Sequence, residues 1–198
     1  MATPGYFDTI KRSYADVSTT PGVDTTQFLE ATEGVVALFD LLGSKAFAAV
    51  TSDMNGNIAK IRARQAAAPA ESGTLESLVE NEKGEKKRTA TEGLMWLLRG
   101  LRFTHAAMAR SLQNKGEELT ESFTKAYEGS LKQFHNFVVK GVFTLAMKAC
   151  PYRKDFYAKL GSDQAKVEEQ LGAWLDALGK IIDHMEKFYQ DGGHNKGF

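Results

Sequence analysis

An all-α fold, one domain of seven or eight helices, is what this chain of 198 residues predicts. Three observations lead there. Apolar residues recur at spacings of three and four, as in Phe47, Val50, Met54, Ile58 and Ile61. No segment alternates apolar and polar residues convincingly in the manner of a strand. Proline is scarce, and its four copies fall outside the apolar patterns, at their boundaries.

Each element follows in order. Pro21-Gly22 separates a short N-terminal segment from a first long helix over 25–42. Gly43-Ser44 closes that helix, with Ser44 placed to cap the next. The second helix covers 45–67 and stops before Pro69. A shorter one covers 75–81, and the charged run 80–88 is a solvated turn. The fourth helix, 89–113, is apolar on most sides in its middle, which predicts a central position. After a turn at Asn114-Lys115-Gly116, a fifth helix is expected over 120–149, carrying Phe123, Tyr127, Leu131, Phe134, Val138 and Phe143. Pro151 ends it. A short helix over 155–160 and a long one over 164–189 complete the chain. The linkers are too short to separate domains, so 1–198 is one unit, with flexible ends expected at about 1–20 and 191–198.

Composition narrows the function. Lysine plus arginine equals aspartate plus glutamate, 25 each, and this zero net charge argues against nucleic acid as the main partner. A single cysteine, Cys150, excludes an internal disulfide and points to a reducing compartment, so a cytoplasmic location is expected. The first residues lack the charged start and apolar core of a signal peptide. No apolar run approaches the roughly 18 residues of a membrane span. Enzyme signatures are missing: there is no G-x-S-x-G elbow, P-loop, G-x-G-x-x-G or H-E-x-x-H. A binding protein without cofactor is favoured over a catalyst.

Three segments carry candidate chemistry. Asp53, Asn57, Lys60 and Arg64 are spaced four, three and four, which puts them in one stripe at about 100° per residue, flanking the apolar one. Spacing alone favours a solvated helix face. The functional alternative is a row of donors and acceptors for a polyhydroxylated ligand. Trp96 lies in a leucine-rich helix, where a core position is the common case. A ring facing a cleft, its flat surface under a sugar, is the alternative. Phe134-His135-Asn136-Phe137 supplies an imidazole, with His135 expected on a helix face shared with Leu131, Val138 and Val139. No second histidine stands one turn away, so a metal site at His135, or a haem at His105, has little support.

Taken together, these residues resemble the glycolipid transfer protein family, over about 28–189. The motifs are Phe39-Asp40-Leu41-Leu42-Gly43-Ser44, Asp53-x-x-x-Asn57-x-x-Lys60, Leu94-Met95-Trp96-Leu97-Leu98-Arg99-Gly100-Leu101-Arg102-Phe103, His135, and Pro151-Tyr152. The resemblance is to the fungal branch. It implies a two-layer helical sandwich that carries one glycosphingolipid between membranes without hydrolysing it. Asp53 would accept from the ceramide amide N–H, and His135 would donate to the amide carbonyl. Asn57 and Lys60 would bond sugar hydroxyls, with Trp96 stacked under the sugar. Phe39, Leu42, Phe103, Leu131, Phe143, Met147 and Phe156 would line an apolar tunnel for the chains. Such a lining is needed, because roughly 30 methylenes leaving a bilayer for water would cost on the order of 24 kcal/mol. The ceramide phosphate branch carries arginines where Trp96 and Gly100 stand, so a neutral headgroup is implied here. Phe137 occupies a position where many members place a membrane-touching tryptophan, and Leu98 one where relatives often have lysine. Transient membrane contact, a monomeric state and no nucleic-acid partner are the expected associations. A glycolipid sensor using the same pocket, or a ceramide phosphate carrier, is the alternative.

Overall fold

The computed structural model of the protein describes residues 4–43 and 45–198, and the expected cap at Ser44 lies outside them. Nine α-helices are present among the described residues: α1 Tyr6–Thr9, α2 Thr25–Leu41, α3 Ala48–Ala67, α4 Leu75–Glu82, α5 Thr89–Gln113, α6 Leu119–Gly129, α7 Phe137–Lys148, α8 Arg153–Leu160 and α9 Gln164–Gly192. Short 3₁₀ turns join several of them. One isolated bridge between Asp24 and Thr74 is the sole β-type pairing among these residues. No described helix is long and apolar enough to cross a membrane.

α5 is the axis of the fold. It packs against α3, α6 and α9, while α2 lies on α3. Leu94, Leu97, Leu101, Phe103, Ala107 and Met108 are all buried along it. Its first turn is held from within the core. The buried Glu82 carboxylate accepts from the backbone N–H of Ala90 at 3.1 Å and of Thr91 at 2.7 Å, and from the Thr91 hydroxyl at 2.7 Å. These backbone donors have no partner within the helix, so Glu82 caps α5 from a neighbouring element.

Two expectations are corrected. The helix expected over 120–149 is broken. α6 stops at Gly129, and the Ser130 hydroxyl bonds back to the Ala126 carbonyl at 2.6 Å. A 3₁₀ turn, Leu131–Phe134, follows. The Asn136 side chain then accepts from the Val139 N–H at 3.0 Å and starts α7 as an ordinary N-cap. His135 therefore sits in extended backbone between elements, on no helix face.

Neither described end is loose. Tyr14 is buried, its hydroxyl 2.9 Å from that of Thr32 and its ring 5.4 Å from Trp174. Asp8 on α1 takes Lys166 of α9 at 2.7 Å. At the other end α9 runs on to Gly192, and His194 is buried. The aromatic residues that the N-terminal segment carries give it enough apolar surface to dock.

Candidate functional site

Asp53, Asn57 and Lys60 project from α3 and Trp96 from α5, the two helices crossing closely beside them. The close crossing depends on Gly93, where a Cβ would come within 3.0 Å of the Lys60 side chain. The Lys60 stem thus lies across α5 and brings its ammonium to the same hollow as the Trp96 ring. The loop before α7 adds His135. All five residues line one cavity of about 570 Å³.

The polar row is wired internally. Asn57, buried, donates from Nδ2 to the Asp53 carboxylate at 3.1 Å and accepts from Lys60 Nζ at 3.2 Å. Acceptor, amide and ammonium are thereby held in a fixed order along the wall. Desolvation raises the Asp53 pKa, with the Lys60 charge opposing it. Arg64 leaves the row. It turns toward α4 and bonds Glu85 at 2.6 Å and Asn81, for the stripe carries it past the cavity's end.

Trp96 is only partly buried, and its indole is braced from three sides. Phe134 meets it edge-on at 6.4 Å, His135 lies nearly parallel at 6.5 Å, and the Arg99 guanidinium covers it at 4.6 Å. Such bracing fixes the ring plane. The Tyr127 hydroxyl lies 3.1 Å from His135 Nδ1. With that hydroxyl donating, the imidazole carries its proton on Nε2, leaving an N–H for a ligand. Burial, with the Lys140 charge second, lowers the His135 pKa and favours the neutral ring.

Below the polar groups the walls turn apolar, with Met54, Phe103, Leu131 and Phe143. Three expected tunnel residues, Phe103, Leu131 and Phe143, are therefore on this cavity. Leu42, Met147 and Phe156 are packed in the continuous core, and Phe39 borders a separate recess of about 300 Å³. A row of rings joins the two hollows. Phe39 meets Phe47 at 5.5 Å, Phe47 meets Phe123 at 6.2 Å, Phe123 meets Phe103 at 5.8 Å, and Phe103 meets Phe143 at 6.2 Å. These side chains fill the space where the resemblance implies a tunnel.

Sequence reasoning passed over Glu92 and Val142 and gave Asn136 and Val139 no part in the site, yet all four line the cavity, as does Gly100. Glu92 stands one turn before Trp96, so helical spacing was a usable signal for it. His105 faces α9 instead, and burial lowers its pKa. Among the described residues no group of three or more His, Cys, Asp or Glu is placed to hold a metal. α7 leaves its outer side uncovered: Phe137 is 90% exposed, and Val138 and Leu145 are also exposed, with Tyr152 nearby in sequence at 72%.

The family model described as glycolipid transfer protein (GLTP) matches residues 23–162. A glycolipid transfer protein of Aureobasidium melanogenum is 55% identical over 184 residues, covering 92% of each chain. The structure matches that of HET-C2, a fungal glycolipid transfer protein, with a TM-score of 0.90 at 47% identity, over 93% of this chain and 96% of that one. It also matches mouse ceramide-1-phosphate transfer protein with a TM-score of 0.87, over 96% of this chain and 98% of that one. At 18% identity the last likeness is one of fold alone. Backbone shape is therefore shared across carriers named for different headgroups, whereas sequence places this chain on one side: it belongs to the glycolipid transfer protein family, as a fungal-type member.

Proposed function

We propose that the chain binds one glycosylceramide and carries it between membranes unaltered, selecting a neutral sugar. One observation carries this reading: Asp53, Asn57, Lys60, Trp96 and His135, drawn from α3, α5 and the loop before α7, share a single cavity with an apolar floor. The sugar lies on Trp96 with its hydroxyls toward Asn57 and Lys60. The ceramide amide lies between Asp53, which accepts from its N–H, and His135, which donates to its carbonyl. The acyl and sphingoid chains continue past Phe103 and Phe143 and displace the rings that fill the way toward Phe39. A lining of that kind holds any long chain, so selection falls to the polar row, where an unmatched buried group costs about 1–3 kcal/mol.

The charges support a neutral headgroup. The cavity wall bears one cation, Lys60, against two carboxylates, Asp53 and Glu92. A phosphate there would meet two carboxylates and one ammonium, with no guanidinium among the lining residues, since Arg99 is turned over the Trp96 and Phe134 rings. Names support the reading too, since the similar relatives described above include two glycolipid transfer proteins. A monomer acting in the cytoplasm, with one face turned to the bilayer, completes it.

Transfer of fluorescent galactosylceramide between vesicles, with ceramide phosphate in parallel, tests it. Galactosylceramide should move and be recovered intact, and ceramide phosphate should stay. Trp96→Ala should lower transfer at least tenfold while the protein still unfolds cooperatively. Unchanged transfer by that variant rejects the platform, and binding without transfer would instead favour a sensor.

A further inference from the structure

Arg99 is the one arginine of the chain that makes no hydrogen bond among the described residues. Arg12, Arg62, Arg64, Arg102 and Arg110 each reach a carboxylate, and Arg88 and Arg153 reach backbone carbonyls. Arg99 lies instead against two rings, 4.6 Å from Trp96 and 3.8 Å from Phe134. Rings cover the faces of a guanidinium and leave the N–H donors along its edge unspent. Burial lowers the Arg99 pKa, and no neighbouring charge opposes that shift. A half-buried cation with open donors is stabilised by an oxyanion, which meets charge and hydrogen bonds at once.

Arg99 lines a recess of about 520 Å³ between α5, α9 and the turn after α6, which is separate from the headgroup cavity although Phe134 borders both. The walls add the side-chain amides of Gln133, Gln190 and Asn195. Gln133 donates to the Ser130 carbonyl at 3.1 Å, and the amides of Gln190 and Asn195 have no partner among the described residues. Arg102 also lines the recess, but it is spent on Glu186 at 2.7 Å and on the exposed Asp183. Among the lining residues the charges of Arg102 and Glu186 cancel, and that of Arg99 is left over. Such walls suit a ligand with one negative charge and several hydroxyls, which is the chemistry of a phosphodiester-linked polyol. Position selects its source. Gln133 and Phe134 end the turn after α6, and the exposed Phe137 opens α7 three residues later. A ligand in the recess therefore sits beside the apolar residues best suited to meet a bilayer.

We propose that this recess is a headgroup site for an anionic glycerophospholipid of the membrane surface, one whose phosphodiester bears a polyol such as glycerol. The phosphate oxygens accept from the Arg99 fork, and the polyol hydroxyls bond the amides of Gln133, Gln190 and Asn195. Phosphatidylcholine is a poor occupant, because its choline brings a second cation toward Arg102 and finds no free carboxylate. The lipid is bound by its headgroup while its chains stay in the bilayer, so the site holds the protein at the surface and leaves the main cavity open. This inference goes beyond the carrier reading and is tested without a glycolipid.

The test titrates the protein with glycerophosphoglycerol, the deacylated headgroup of phosphatidylglycerol, and reads the fluorescence of Trp96, which Arg99 covers. Glycerophosphocholine and inorganic phosphate run in parallel. A second arm measures sedimentation of the protein with phosphatidylcholine vesicles, with and without phosphatidylglycerol. Glycerophosphoglycerol should shift the emission, the other two should not, and phosphatidylglycerol should raise vesicle binding. Arg99→Lys keeps the charge and loses the fork, and should weaken both responses about tenfold, the worth of one hydrogen bond between charged groups. Gln190→Glu, an exposed change on α9 that offers Arg99 a carboxylate, should do the same. Lys148→Ala removes a cation outside the recess and should leave the headgroup response within twofold. No response to glycerophosphoglycerol overturns the site, and an equal response to glycerophosphocholine does so too. An equal response to inorganic phosphate overturns the lipid assignment. Vesicle binding raised as much in both recess variants as in the wild type means that general surface charge is at work, and also overturns it.

Discussion

Asp53 is held in the fold at a cost that, on the function proposed above, the ligand's amide N–H would offset. Desolvation raises its pKa above the ordinary value, and Lys60 only partly compensates. A carboxyl with a raised folded pKa contributes stability that is present below the unfolded pKa and lost as pH rises through the folded value. At neutral pH the ionised group therefore burdens the lipid-free protein. Asp53→Asn should leave the melting temperature unchanged or higher, yet lower galactosylceramide transfer about ten- to hundredfold, since a hydrogen bond to a charged group is worth about 1.5–3 kcal/mol. A variant that transfers normally would remove Asp53 from recognition. His135 titrates with the opposite sign. Burial, then the Lys140 charge, lowers its pKa, so below about 6.5 the unfolded chain takes up a proton that the folded chain resists. Stability should fall as pH drops from about 7.5 to about 5.5, and by less in His135→Gln. Calorimetry at the two pH values measures the difference. His105 is shifted in the same direction and contributes equally to both proteins' loss. The spacing of Asp53, Asn57 and Lys60 was legible because helix periodicity converts directly into a shared face. Glu92 was missed although it obeys the same rule, because an acid in a helix's first turn has a sufficient local reason to be there.

At the scale of elements, α5 could be read from sequence as a helix over about 89–113, because a long apolar pattern bounded by polar turns leaves little freedom. The break after α6 was harder. Apolar spacing continues through 120–149, and periodicity alone cannot register that the chain turns while keeping its apolar residues inward. The signals were local: Gly129-Ser130 as punctuation, and Asn136 as an N-cap before an apolar run. That break shapes the cavity, since it frees His135 from a helix and sets its ring nearly parallel to that of Trp96. Glu82 was invisible for a different reason. It caps a helix other than its own, a contact that only the α4–α5 packing creates. Removing it exposes that dependence. Glu82→Ala would leave two buried backbone donors and the Thr91 hydroxyl without their acceptor, at about 1–3 kcal/mol each before relaxation. A net loss of about 3 kcal/mol corresponds to a melting temperature lower by roughly 6–12 °C in a chain of this size. Calorimetry showing a drop of under about 2 °C would mean that water replaces the cap.

The whole molecule has an asymmetry that a carrier needs. One wall of the cavity is α7, through Val139, Val142 and Phe143, and the same helix turns Phe137, Val138 and Leu145 outward. The hollow and the uncovered apolar face are two sides of one element, so a lipid leaving the cavity meets the surface best suited to enter a bilayer. Lys140 and Lys148 on α7 add cations that favour an anionic leaflet. Phe137 is the most exposed of these apolar residues, and inserting it is worth about 1.5–3 kcal/mol, or roughly tenfold or more in vesicle affinity. Phe137→Ala should therefore lower intervesicle transfer about tenfold. It should leave binding of a water-dispersed, short-chain glycosylceramide within twofold. Tryptophan fluorescence reads that binding directly, because Trp174 is buried in the core and the response comes from Trp96. Phe137→Trp should act in the other direction, since the indole N–H favours the headgroup region, and should lengthen residence on vesicles. If both variants transfer like the wild type, α7 is not the docking face. If both bind the short-chain lipid poorly, Phe137 acts through the cavity rather than the membrane. Loss of transfer with binding retained would divide the carrier's work between two parts of the molecule. Holding the lipid would then belong to α3 and α5, and reaching the membrane to α7.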